Sequence, residues 1–191
     1  MDVAQPNPAT VARDLPTDDH GQLRAQMAAL LPDLRGFARF LVRDRVAADD
    51  LVQDGLVRAL AAIEQFQPGS NLKAWLFTIV RNAFYETARR RKRETIGLPD
   101  GHEADLSTRP DAEIRAEMRD LQGIIWSLPP LLREALILVG AQEMTYEEAA
   151  LVCGVPVGTI KARVSRGRTA LATALRRAES GLGEPHDVGD T

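Results

Sequence analysis

The stretch from Thr145 to Arg168, TYEEAALVCGVPVGTIKARVSRGR, constrains this chain more than any other. Thr145 followed three residues later by Glu148 is a capping box, in which hydroxyl and carboxylate each satisfy an amide left free at a helix start. Ala149, Ala150 and Val152 then supply close-packing side chains. Cys153-Gly154-Val155 offers a tight turn where glycine takes positive φ. A second helix begins at Pro156 or Val157, and two short helices joined this way make a helix-turn-helix. Ile160 and Val164, four apart, are placed to anchor the second helix to the first. Thr159, Lys161, Arg163, Ser165 and Arg166 are left for other faces. Side chains of these types meet phosphates and base edges in a major groove. A solvated basic helix would share the composition; the small-residue turn and the clustered charge favour nucleic acid.

The rest of the chain also reads as helix. From Gln22, Met27, Leu30, Leu31, Leu34, Phe37, Ala38 and Leu41 recur at steps of three and four. Pro32 interrupts this pattern and predicts a fresh helix start near Leu31. A helix from about Ala47 to Phe66 is expected to bury Val46, Leu51, Leu56, Leu60 and Ile63. Gln67-Pro68-Gly69-Ser70-Asn71 is a breaker cluster, with Ser70 or Asn71 as N-cap of the next helix. That helix runs from Leu72 to about Arg93, with Trp75, Leu76, Ile79, Val80 and Ala83 as its core face. Trp75 and Phe84 read as core; Phe77 and Tyr85 stay open. Residues 95–111 lose the period and gain Gly, Pro and acid, as a flexible linker does. Helical patterns resume from 112 to Trp126 and from Leu131 to Val139, split by Ser127-Leu128-Pro129-Pro130.

The expected fold is all-α: two small helical domains, 21–94 and 112–178, joined by the flexible acidic linker, between a disordered tail at 1–20 and a C-terminal tail at 179–191. With aromatics at 5%, the cores must be built on Leu, Ala, Val and Ile. No run of about 18 apolar residues is present, so no ordinary transmembrane helix is expected and no membrane insertion. The N-terminus lacks the cationic start and apolar block of a secretory signal. One cysteine and three scattered histidines exclude a disulfide framework and a credible metal cluster. A reducing, cytoplasmic setting follows. Cys153 reads as a small packing residue. No Ser/His/Asp set, phosphate-binding glycine loop or catalytic acid pair appears, so neither enzyme nor cofactor is expected.

The net charge of −3 hides a segregated distribution. Arg89 to Arg93 is an unbroken basic run, more than helix-end capping requires. Asn82 and Tyr85 lie two turns upstream, and amide and aromatic groups beside such a run suit unstacked bases. Asp50, Gln53 and Asp54 share one face of an acidic helix. Dipole complementation explains acid at the helix start but not that shared face, which suits a protein partner with a basic groove.

Three segments together resemble the extracytoplasmic function (ECF) class of bacterial sigma factors: DDLVQDGLVRAL (49–60), FQPGSNLKAWLFTIVRNAFYETARRRKRE (66–94) and LPPLLREALILVGAQEMTYEEAALVCGVPVGTIKARVSRGRTAL (128–171). The wording NLKAWLFTIVRNAFY with REALILVGA is similar to the alphaproteobacterial subgroup of the general stress response. The resemblance implies a region 2-like first domain that binds core polymerase and the −10 element. It implies a region 4-like second domain that binds the −35 element. It would put Asp50, Gln53 and Asp54 on the β′ clamp helices of core RNA polymerase, with the β flap as a further contact. Asn71, Lys73, Arg81, Asn82, Tyr85, Arg89 and Arg90 would meet flipped bases of the −10 element. Thr159, Lys161, Arg163, Ser165 and Arg166 would face the −35 element in promoter DNA. An anti-sigma factor is the implied inhibitor. Ala162 stands where many relatives carry Ser. Gly167 lies within the final helix at a cost of about 1 kcal/mol relative to Ala, and nothing in the sequence accounts for it.

Two other functions compete. A stand-alone helix-turn-helix regulator leaves the acidic helix and the 66–94 block without a role. A sigma-mimicking adaptor that binds an anti-sigma is expected to carry a receiver domain, for which residues after 178 leave no room.

Overall fold

The computed structural model describes residues 17–95 and 116–181. The expected linker and most of both tails lie outside them. The first module holds helices α1 (Thr17–Ala29), α2 (Leu31–Leu41), α3 (Arg45–Ala61) and α4 (Leu72–Thr95), with a 3-10 turn at Ile63–Gln65. The second holds α5 (Ala116–Ser127), α6 (Pro130–Leu136), a π-turn at Ile137–Ala141, α7 (Tyr146–Cys153) and α8 (Val157–Gly181). No strand occurs among the described residues.

Local chemistry sets most boundaries. Pro32 sits in the first turn of α2, where its missing N–H costs nothing. Asp44 caps α3 by accepting from the Ala47 amide at 2.7 Å. Asn71 rather than Ser70 caps α4, its Oδ1 accepting from the Ala74 amide at 2.9 Å. Two helices are longer than expected: α1 begins inside the stretch read as tail, and α8 runs to Gly181.

The first core gathers Leu34, Phe37, Ala38 and Leu41 of α2 against Leu76, Phe77 and Val80 of α4. The Phe37 and Phe77 ring centroids lie 4.9 Å apart, which settles Phe77 as core. Phe66 and Trp75 pack at 5.2 Å, with Trp75 only partly buried.

The expectation for α3 holds only in part, with Ile63 buried just beyond its end. Its buried residues are the small ones, Ala48, Val52, Gly55 and Ala59. Val46 and Leu60, expected inside, are 68% and 45% exposed, while Leu51 and Leu56 are half-buried. The cause is close approach to α4: a Cβ on Gly55 would lie 2.6 Å from Val80 Cγ2. Helices that near each other admit only small side chains between them, so the larger ones turn outward.

The second core centres on Ala135, Ile137, Leu138, Ala149, Val152, Ile160 and Val164. Here Gly167 finds its reason. A Cβ there would lie 2.8 Å from Leu136 Cγ and 3.3 Å from the Leu132 carbonyl, so α8 can cross α6 only where a side chain is missing. The two cores are not separate: their buried residues form one continuous apolar cluster, with α4 packed on α7 and α2 on α6 and the π-turn.

Candidate nucleic-acid interface

The helix-turn-helix is built as its sequence dictates. The Thr145 amide donates to Glu148 Oε2 at 2.7 Å, and the Glu148 amide donates to Thr145 Oγ1 at 3.1 Å. Gly154 ends α7 in the left-handed region, φ +64°, with open space where a Cβ would be. The backbone angle, not crowding, calls for glycine here. Ile160 and Val164 are wholly buried and fix the roll of α8.

That roll decides which basic residues are presented. Lys161, Ser165 and Arg166 lie on the exposed face. Arg166 Nε donates to the Ala162 carbonyl at 3.3 Å, and Lys161 Nζ sits 5.8 Å from the Tyr146 ring centroid. Thr159 and Arg163 are half-buried at the flanks. Arg163 Nη1 is buried without a hydrogen-bond partner.

The α4 residues fall into two groups. Asn82, Arg89 and Arg90 are exposed along the helix. Asn71, Lys73, Arg81 and Tyr85 instead meet the second module. Asn71 Nδ2 donates to Glu148 Oε1. Lys73 Nζ donates to the Gln142 carbonyl at 2.9 Å and pairs with Asp33 Oδ2 at 2.9 Å. Arg81 Nε reaches Glu134 Oε1 at 2.7 Å and Nη2 reaches Oε2 at 3.3 Å. The Tyr85 hydroxyl donates to Glu134 Oε2 at 3.4 Å, and the Arg81 guanidinium lies 4.6 Å from the Tyr85 ring centroid. Burial, reinforced by the Glu134 charge, pushes the Tyr85 phenol up to about 12. Burial pulls against the Arg81 cation, yet hydrogen bonding and charge from Glu134 hold it above its ordinary value. Cys153, beside the same groups, is driven by burial up to about 12 and has little thiolate character.

On α3, Asp50 and Gln53 are exposed, while Asp54 is half-buried and paired to Arg58 Nε at 3.0 Å. Arg58 also binds Glu86 of α4, and these two acids raise its already high pKa. Val46, Asp50, Gln53, Val57 and Leu60 follow one another at steps of four and three and make one outer stripe. Val46 and Leu60, expected in the core, instead join Val57 as its apolar members. Among the described residues no His, Cys, Asp or Glu group could hold a metal ion, and no helix is long and apolar enough to cross a membrane.

The chain matches the model for sigma-70 region 2 over residues 27–94 and that for sigma-70 region 4 over 118–171. It is 47% identical over 153 residues to the ECF RNA polymerase sigma factor EcfG of Rhodopseudomonas palustris, covering 80% of this chain and 84% of that one. The chain belongs to the ECF family of sigma factors. Its region 2 stretch contains α2, α3 and most of α4, and its region 4 stretch contains the helix-turn-helix. The sigma factor RpoE of Bartonella quintana, solved in complex with the anti-sigma factor NepR, is 41% identical with a TM-score of 0.72, over 84% of this chain and 98% of that one. The anti-anti-sigma factor PhyR of the same organism, also solved with NepR, shares the fold at 18% identity and TM-score 0.51, over 76% of this chain and 48% of that one.

Proposed function

We propose that this sigma factor docks on core RNA polymerase through the outer stripe of α3 and brings promoter DNA to α4 and α8. The single observation that carries this reading is one chain holding two unlike presented surfaces. One is the mixed acidic and apolar stripe of α3; the other is the basic face of α8, set by the buried Ile160 and Val164. Asp50, Gln53 and Asp54 would supply charge to the β′ clamp helices, and Val57 and Leu60 the apolar area. Lys161, Ser165 and Arg166 would enter the groove at the −35 element, with Thr159 and Arg163 at its edge. Asn71, Lys73, Arg81, Asn82 and Tyr85 would take the −10 element, and Arg89 and Arg90 its backbone.

A net charge of −3 suits this division. Nonspecific DNA affinity comes largely from neutralised phosphates, and the remote acid opposes it. The factor would therefore act on promoters after joining polymerase, in the cytoplasm. An anti-sigma factor of the kind bound to the Bartonella RpoE is the proposed inhibitor. The adaptor reading has less support, since the likeness to PhyR is one of fold at low identity.

The test is in vitro transcription with purified core polymerase. We expect initiation at a promoter with spaced −35 and −10 elements. No initiation, under conditions where a control sigma factor works, would favour the adaptor or the stand-alone regulator.

A further inference from the structure

The roll of α8 also fixes which residue leads into a groove. The anchors Ile160 and Val164 are 0% and 1% exposed. An α-helix turns by about 100° per residue, so the direction opposite the midpoint of these two falls on position 162. The leading residue is therefore Ala162, and it is exposed. Every polar side chain of this face stands to one side of it. Lys161 leans toward α7, its Nζ 5.8 Å from the Tyr146 ring centroid. Arg163 is half-buried on the flank, with Nη1 inside. Ser165 and Arg166 are exposed about one turn further on. Arg166 bends back, its Nε donating to the Ala162 carbonyl at 3.3 Å, which holds the guanidinium close to Ala162.

A methyl group neither donates nor accepts a hydrogen bond, so it can tell bases apart only by apolar contact. In the major groove thymine alone offers such a contact, through its C5-methyl; the other three bases present donors and acceptors. A short side chain at the leading position also lets the helix backbone come near the base edges, where a longer one would hold it off. Successive base pairs lie about 3.4 Å apart, so a guanidinium drawn back toward Ala162 and the Ala162 methyl would address neighbouring pairs. Arginine at such a position chelates guanine O6 and N7. We propose that Ala162 is a specificity-determining residue of −35 recognition, its methyl reading the methyl of a thymine beside the guanine read by Arg166. This rests on the assignment of α8 to the −35 element made above.

The test is transcription by core polymerase carrying the full chain, on a promoter library with a randomised −35 element, read by sequencing the transcribed templates. The parent should favour thymine at a pair adjoining the guanine whose preference Arg166→Ala removes. Templates with deoxyuridine in place of that thymine lack only the methyl. The parent should use them about fourfold less well, the worth of one buried methyl-sized group. Ala162→Gly should use the thymine and uracil templates equally. Ala162→Gln aims an amide at the groove in place of the methyl and should be as blind to the change. Gln favours helix where Gly does not, so the second variant decides the matter should the first lose helicity by circular dichroism. Three results would each overturn the proposal and leave the function standing. They are no thymine preference beside that guanine, equal use of the two templates by the parent, and an undiminished uracil loss in the folded variants. No initiation from any template, where a control sigma factor works, would sink the function and this proposal with it.

Discussion

Helices α3 and α8 divide their surfaces differently, and the division separates stability from binding. In α8 the apolar residues Ile160 and Val164 face inward and the outer face is polar and basic. In α3 the inner face is small, while Val46, Val57 and Leu60 stand outside among acids. A scattered exposed apolar residue needs no explanation, and the three along this face of α3 are those the docking proposed above would use. Large side chains therefore sit differently in the two helices: in α8 they hold the module together, and in α3 several of them stand outside the core.

Substitutions can break that contrast. The largest effect is expected from Ile160→Ala, which empties a fully buried site; it should lower stability by about 2–5 kcal/mol in denaturant melts and take −35 binding with it. The corresponding change on α3, Val57→Asp with Leu60→Asp, should leave the melt nearly unmoved. In a core polymerase pull-down or titration it should weaken binding by about a hundredfold, roughly 2.8 kcal/mol. Unchanged core affinity would return the stripe to ordinary surface. Arg166→Ala should lose about 1–3 kcal/mol of discrimination at one −35 position, read by competition between promoter variants. An unaltered preference would remove Arg166 from the reading set. Smallest, Gly55→Ala and Gly167→Ala should each cost about 1–2 kcal/mol of stability, the crowding exceeding the gain in helix propensity. Stabilisation by either would mean that its helix pair can move apart freely.

The two helices were also unequally legible. The capping box at Thr145, the left-handed turn at Gly154 and the roll of α8 follow from residues a few positions apart, and they were readable in sequence order. The outer face of α3 was only half readable. Asp50 and Gln53 showed themselves as a polar pair on one side, but Val46 and Leu60 were drawn into the core by their size. Both faces of α3 repeat at helical spacing, so period alone could not choose between them. The choice lies with Val80 on α4, which approaches Gly55 from elsewhere in the chain. Tyr85, left open between core and interface, lies against Glu134, 49 residues away.

What the sequence determined by itself is where helices start, stop and turn, together with the family to which the chain belongs. Those features depend on caps, φ angles and spacings that act within one or two turns of backbone. The tertiary structure alone decided which side of α3 is inside, why Gly167 has no side chain, and that Asn71, Lys73, Arg81 and Tyr85 meet the other module. Each of these is set by an atom brought near from a distant part of the chain, and steric exclusion and the burial of charge act through space, whatever the separation in sequence.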